Sequence, residues 1–561
     1  MELLVDIKTD AVVQIAKLHV DLKEEKNEGG LQMTFKGTLL PYQPEAVERM
    51  CERQKMLVAY DLGLGKTVLT IAAIEQLMDE KRIKEPGLVI CLSSLKYQWH
   101  NQIGKFTDGT SKSLVIDGTP KKRAEQYAEA LDWRNTGIDY IILNYEQVVN
   151  DWESVRNLPR GFVVLDEATA IKSFRSKRSK AVKKLGNAPF RFALTGTPIE
   201  NGKPEELYSI MQFVDSTVLG RFDIFDSTFI VRNNWGAVKN YRNLPTLHTK
   251  LKEACVRKAQ KDADVAPYLP DSIHKEPVKI VLDRKSSKLY ARIANDLVND
   301  LDEAQNLFGS GFNIMAHYGY ENKHGGPEDE LRGRIMSKVG CLKMLCSHPA
   351  LLHTSARKYL SINNEGSAYA HDLKEAGMLE GLDTSPKLDY LIQYVKEFLD
   401  QDEANKVVIF ATYVDMLDLI AEGLGADQCR LYSGRIDAKT KEENKIAFNT
   451  FSNIRVLISS DAGGYGVDLP AANLLINFDL PWSSGSATQR NGRIMRASST
   501  WPSIVIQDLI VQGSIEERQY EALQQKNALA SAVVDGEGID DKGGIPMTVG
   551  SLKAFLASAT V

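Results

Sequence analysis

The sequence predicts an α/β protein made of two parallel-sheet lobes with helical protrusions inserted between them. Three observations carry this. Two stretches repeat one rhythm: a short apolar strand, a turn, then an amphipathic helix. The strands are continuous Val/Ile/Leu runs, the pattern of parallel sheets covered on both faces. A chain of 561 residues is also too long for a single core.

Taken in order, residues 1–35 read as a small appendage. The first lobe, 36–215, carries strands in MLVA (56–59), LVICL (88–92), YIIL (140–143), FVVLDE (162–167) and FALTG (192–196). Residues 216–384 are strand-poor and helical, as in SSKLYARIANDLVNDLDEA, and the glycine-rich patch at 309–326 predicts a mobile loop there. The second lobe, 385–535, has strands in VVIFAT (407–412), RVLISS (455–460), LLINF (474–478) and IVIQDLI (504–510). The tail, 536–561, has linker composition and ends near a possible short helix, SLKAFLA.

Hydrophobic content of 43% and charged content of 25% fit a soluble globular protein. No uncharged apolar run is long enough to span a bilayer, and MELLVDIKTD lacks a signal pattern. The expectation is a cytoplasmic protein with no membrane partner. Six scattered cysteines form no Cys-x-x-Cys pair. Cys341, Cys346 and His348 lack a fourth ligand nearby, which favours buried thiols over a metal site. The net charge of −5 leaves any nucleic-acid contact to local patches.

The stretch AYDLGLGKTVLTI (59–71) looks like a phosphate-binding loop lacking its leading glycine, because Tyr60 stands at that position. A strand precedes it, and Val68, Ile71, Ile74 and Met78 form a helical stripe after it. Backbone N–H groups and a helix dipole therefore converge there on an anion. Gly63 and Gly65 let the chain curl around phosphates, Lys66 supplies a point charge, and the Thr67 hydroxyl suits Mg²⁺. FVVLDEAT puts Asp166 and Glu167 at a strand end, to hold the Mg²⁺ shell and to deprotonate the attacking water. Alone, that string reads equally as a solvated acidic turn. In ATQRNGRIMR, Gln489, Arg493 and Arg496 share one helical face at i, i+4 and i+7, which suits a γ-phosphate; the alternative is a solvated basic face. ISSDAGGYGVDL, with Gly466 and Asp468, adds a turn where backbone approaches a phosphate.

With these strings assembled, the chain resembles the SWI/SNF-like branch of superfamily-two helicases, double-stranded DNA translocases driven by ATP, in a compact bacterial or phage form. The resemblance covers about residues 36–530 and implies two RecA-like lobes. LLPYQPEAV is similar to the adenine-contacting segment, which makes Gln43 the reader of the base. DLGLGKT, with Leu64 inside it, resembles a phosphate loop that needs no leading glycine. LVICLSSLKYQWHNQIGKF, ILNYEQV, DEATAIKSF, ALTGTPIEN, KVVIFATYVDML, SSDAGGYGVDL and QRNGRIMR follow in family order. The match makes Arg493 and Arg496 arginine fingers, places Gln489 at the nucleotide, and gives Ser94, Thr195 and Ser460 to the DNA. Two departures stand out: Thr169 replaces the usual histidine, and Ala497-Ser498-Ser499 replaces Ile-Gly-Gln.

Residues 172–184 hold seven basic residues and no acid. Such a run is usually a solvated face, but after the Asp-Glu pair it points to phosphate contact by Lys172, Arg175, Lys177 and Arg178. The resemblance thus implies a DNA-dependent ATPase using ATP and Mg²⁺ on double-stranded or branched DNA. A fork-remodelling or strand-annealing enzyme and an ATP-gated binding switch are the competing readings.

Overall fold

The computed structural model describes residues 34–232, 238–308, 327–361, 365–461, 467–537, 552–553 and 556. The appendage before residue 34, the glycine-rich patch at 309–326, Gly466 and most of the tail lie outside them. In the first lobe the strands are β1 (Lys55–Tyr60), β2 (Gly87–Cys91), β3 (Lys112–Val115), β4 (Ile138–Asn144), β5 (Phe162–Asp166) and β6 (Phe190–Leu194). A hairpin follows, β7 (Ile230–Arg232) with β8 (Val238–Tyr241), and then β9 (Cys255–Lys258). The first sheet is parallel throughout, in the order β3-β4-β2-β5-β6-β1-β9.

The second sheet contains β10 (Asp271–His274), β11 (Val278–Ile280), β12 (Val407–Phe410), β13 (Cys429–Tyr432), β14 (Val456–Ser459), β15 (Leu474–Asn477) and β16 (Ser503–Val511). Its order is β10-β16-β15-β12-β14-β13, with β11 also along β16, and it too is parallel. Central strands such as β2 and β5 are buried at every position, so their apolar runs have helices on both faces. Each side chain fully buried there contributes about 1.5–3 kcal/mol of transfer free energy.

The insertion is less purely helical than its composition suggests. It supplies β9 to the edge of the first sheet and β10 and β11 to the second. Its long helices, Arg284–Phe308 and Pro327–Ser347, pack with Ala350–Tyr359 around a separate core, which also buries Leu552 and Leu556 from the tail. Cys341 and Cys346 are buried within it.

One helix crosses the seam. Ile515–Val534 leaves the second lobe and buries Leu529, Ala532, Val533 and Val534 in the core of the first. Past its end, Asp535 accepts a hydrogen bond from Arg257 Nε at 2.7 Å, while Arg257 Nη1 donates to the carbonyl of Ala59 in β1 at 2.8 Å. No helix among the described residues is long and apolar enough to cross a membrane.

Candidate active site

β1 ends at Tyr60, and a tightly curved loop of five residues, 61–65, leads to the next helix, Lys66–Asp79. Tyr60 is a buried strand residue whose hydroxyl donates to the Tyr42 carbonyl at 3.0 Å. Gly63 and Gly65 take left-handed backbone angles, φ 81° and 78°. A Cβ on Gly63 would lie 2.7 Å from the Met495 carbonyl, and one on Gly65 would lie 2.4 Å from Gln43 Nε2. Both glycines therefore serve close approach as well as curvature. Lys66 Nζ donates to the carbonyls of Tyr60 (2.9 Å) and Asp61 (3.1 Å), and burial lowers its pKa.

Asp166 closes β5 and is buried. Its Oδ2 accepts from Trp99 Nε1 at 2.8 Å and its Oδ1 from the Glu167 amide at 2.9 Å. Glu167 sits in the left-handed region, φ 50° and ψ 57°, a cost on the order of 1–2 kcal/mol for a residue with a Cβ. That conformation turns its carboxyl into the seam, where Oε2 is buried with no hydrogen-bond partner among the described residues. Burial, with the charge of Asp166 adding to it, pushes Glu167 up to about 7. Strain and a raised pKa coincide on one side chain, the combination typical of a general base.

On the second lobe, the helix expected to carry Gln489, Arg493 and Arg496 on one face is shorter than that. It spans Ser484–Asn491, so both arginines lie in the turn beyond it. Just past its end, Gly492 admits the other lobe closely: a Cβ there would lie 2.8 Å from Leu62 Cβ. Arg493 is 3% exposed, and Arg496 Nη2 pairs with Asp468 Oδ1 at 2.8 Å. Arg490, one step earlier, is committed elsewhere: it grips Asp461 through Nε (2.6 Å) and Nη2 (2.9 Å), and Nη1 donates to the Asp479 carbonyl.

These pieces enclose one cavity of about 290 Å³, lined from the first lobe by Gly63, Gly65, Lys66, Thr67, Asp166 and Glu167 and from the second by Asp468, Arg493 and Arg496. The donor set fits a magnesium nucleotide. Three cationic side chains suit phosphate charge, and a hydroxyl with one carboxylate suits a hard cation that keeps most of its waters. The unpartnered Oε2 of Glu167 is placed to accept a proton.

Other expected residues lie elsewhere. Gln43, the expected base reader, is 3% exposed and gives both ends of its amide to the protein: Nε2 to the Leu64 carbonyl (3.0 Å), Oε1 to the Leu40 amide (2.9 Å). Here it braces the phosphate loop, and Leu64 is fully buried beneath. Gln489 lines a neighbouring cavity of about 750 Å³ instead, together with Glu146, Glu167, Lys172, Lys177, Arg178 and Glu200. Thr195 is 0% exposed, with its hydroxyl accepting from the Thr197 amide, and Ser460 is 2% exposed. As folded, both side chains are buried, so neither presents a hydroxyl to a phosphate. Ser94 and Arg175 are exposed, Arg175 over the Phe174 ring.

Sequence reasoning missed Trp99, Glu200, Arg257 and Arg490, which act through partners far away in the chain. Only Trp99 carried a signal, as the one tryptophan in an otherwise amphipathic segment.

Residues 42–351 match the family model of the SNF2-related domain, and residues 386–498 match the helicase conserved C-terminal domain. The chain is 27% identical over 496 residues to a DNA repair and recombination protein RAD54-like from Gallus gallus, covering 86% of this chain and 64% of that one. It is 24% identical over 540 residues to a putative ATP-dependent helicase/translocase YwqA of Bacillus subtilis (strain 168), covering 95% and 53%. The chain thus spans between half and two thirds of the length of these curated relatives. Among solved structures, a Sulfolobus solfataricus SWI2/SNF2 ATPase core in complex with dsDNA aligns at 24% identity and TM-score 0.39, covering 91% of this chain and 96% of that one.

Proposed function

Because the chain belongs to the SNF2-related family of helicase-like ATPases, we propose that it couples hydrolysis of magnesium ATP to movement along double-stranded DNA. The observation that carries this reading is the shared cavity. Lys66, Thr67, Asp166 and Glu167 line it from one lobe, Arg493 and Arg496 from the other, so a triphosphate between them would link the lobes. Lys66 would exchange its two loop carbonyls for phosphate oxygens, Thr67 and Asp166 would hold a Mg²⁺ that supplies countercharge to the phosphates, and Glu167 would take the proton of the attacking water. Loss of phosphate removes the link, and the lobes separate. The reading places the protein with cellular DNA: in the cytoplasm of a bacterial or phage-infected cell, or in the nucleus of a eukaryotic one.

The decisive experiment measures ATP turnover with single-stranded, double-stranded and forked DNA, beside a triplex-displacement assay. Strong stimulation by duplex with triplex displacement supports the reading. Turnover indifferent to DNA would leave an ATP-gated switch, and preferential stimulation by forks would favour remodelling of branched DNA.

Two further outcomes are expected. Trp99→Phe keeps the ring and removes the N–H donor on Asp166, so the Mg²⁺ concentration needed for half-maximal activity should rise on the order of tenfold, the low end for outer-shell partners. Nucleotide affinity without Mg²⁺ should stay put, and an unchanged Mg²⁺ titration would reduce Trp99 to packing. Lys177 is exposed on the basic run. Lys177→Ala should weaken binding to all duplex sequences alike and reduce the log–log salt slope by about 0.9. Sequence-dependent weakening, read by anisotropy titrations at several salt concentrations, would count against a backbone contact.

A further inference from the structure

Glu200, in the turn of ALTGTPIEN, touches both the second lobe and the basic face. Its carbonyl accepts from the Ser484 amide (3.0 Å), the Ser484 hydroxyl (2.8 Å) and the Gly485 amide (3.3 Å), so it closes the start of the helix that leads to Arg493. The approach is so close that a Cβ on Gly485 would lie 2.4 Å from Glu200 Cγ. The turn is rigid, because Glu206 Oε2 accepts from the amides of Glu200 (2.8 Å) and Asn201 (3.0 Å). The Glu200 carboxylate forms an ion pair with Lys172. The two partners differ in freedom: the Glu200 side chain is 11% exposed and pinned by Gly485, the Lys172 side chain 34% exposed on a flexible stem. Both line the 750 Å³ cavity, beside Lys177 and Arg178.

The cavity sets Lys172, Lys177 and Arg178 against Glu146, Glu167 and Glu200, and Arg178 pairs with Glu146, so a lysine held there by a fixed carboxylate is a cation with a built-in competitor. We propose that Glu200 competes with DNA phosphate for Lys172. Without DNA, Glu200 holds Lys172 against the seam. A backbone phosphate entering the cavity takes the ammonium, and the Glu200 carboxylate is left without that partner while its amide stays on Glu206 and its carbonyl on the second lobe. Occupancy of the basic face is thereby registered at the residue that caps the arginine-bearing segment. This rests on the DNA reading above. It also supplies a route between DNA and nucleotide in a chain where Thr169 replaces the histidine usual after the Asp-Glu-Ala motif.

The test is a double-mutant cycle on the full chain, probed with a short blunt duplex by fluorescence anisotropy without nucleotide. Glu200→Gln removes the competing charge and keeps the backbone cap, so it should tighten duplex binding about fivefold, the scale of a partly exposed ion pair. Lys172→Ala should weaken binding, and the double variant should match Lys172→Ala alone, because Glu200 acts only through that lysine. Glu200→Asp, too short to hold Lys172 yet still charged, should tighten binding as Glu200→Gln does, and thermal melts check that each variant folds. Unchanged or weaker binding in both Glu200 variants, or additive effects in the double variant, overturns the competition while Lys172→Ala still reports a phosphate contact. If the wild-type chain binds no duplex at all, the DNA reading itself falls and takes this one with it.

Discussion

Glu167→Gln is expected to bind ATP with near wild-type affinity and to hydrolyse it on the order of 10²–10⁴-fold more slowly, the range for loss of a general base. The substitution preserves shape, and it removes only the capacity to accept a proton at the buried Oε2. The pH dependence checks the same assignment. Glu167 is raised from its ordinary value of 4.5 to about 7, so the basic form disappears as pH falls through about 7. The kcat/KM of the wild type should then drop tenfold per pH unit below that point, and the small residual rate of the variant should show no such limb. Stability moves the other way. Because the folded pKa lies above the unfolded one, the folded state binds more protons between about pH 4.5 and 7, and stability contributed at this position declines as pH rises through that window. The variant should consequently melt at a higher temperature than wild type at pH 8, where wild type buries a charged carboxylate and the variant a neutral amide. Fluorescent-nucleotide binding, steady-state kinetics and thermal melts together decide it. A variant with normal turnover ends the base assignment.

How legible the molecule was in its sequence follows from where each residue sits. The central strands were readable because a parallel strand covered on both faces must be apolar at each position, as in β2 and β5. The strands that escaped, β3, β7, β8, β9, β10 and β13, all lie at sheet edges, and β11 lies alongside β16 off the main path. An edge tolerates charge: β3 reads KSLV and β9 CVRK, neither with the apolar continuity of a core strand. The strand, glycine turn and helix around Lys66 were legible because their signal is local, and the two arginines through residue type alone, since the helical spacing that grouped them does not hold beyond Asn491. Their helix was overextended. The helix ends at Asn491 where the chain meets Leu62 of the other lobe, a contact that the pattern in RNGRIMR does not announce. Trp99 on Asp166 and Glu200 on Lys172 and Ser484 are contacts between distant segments, and such pairings do not follow from the pattern around either residue.

The seam explains why so many side chains here serve two purposes. Gly63 shapes the loop after β1 and admits the Met495 carbonyl, Gln43 braces the same loop from beneath, and Glu167 lines both the small cavity and the larger one. A side chain shared by two cavities transmits a small displacement of one to the other.

Arg493→Ala puts the two-lobe character of the site to its sharpest test. Arg493 comes from the second lobe, is almost wholly buried, and lines the cavity opposite Lys66 and the two acids. A guanidinium so placed stabilises charge that spreads over the transferred phosphoryl group, and its loss should slow hydrolysis by roughly 10³–10⁵-fold, as for arginine fingers in related chemistry. ATP affinity should change far less, because Lys66 and the loop amides hold the ground state from the first lobe alone. Arg496 differs: it begins paired with Asp468 and must exchange that partner for phosphate, so Arg496→Ala should lose both rate and affinity. Arg493→Lys separates charge from geometry, since an ammonium cannot present the planar fork; little rescue is expected. Single-turnover hydrolysis beside fluorescent-nucleotide binding distinguishes the cases. If Arg493→Ala weakens ATP binding in proportion to its lost rate, the arginine is a ground-state anchor, and closure of the lobes around the transition state loses its main support.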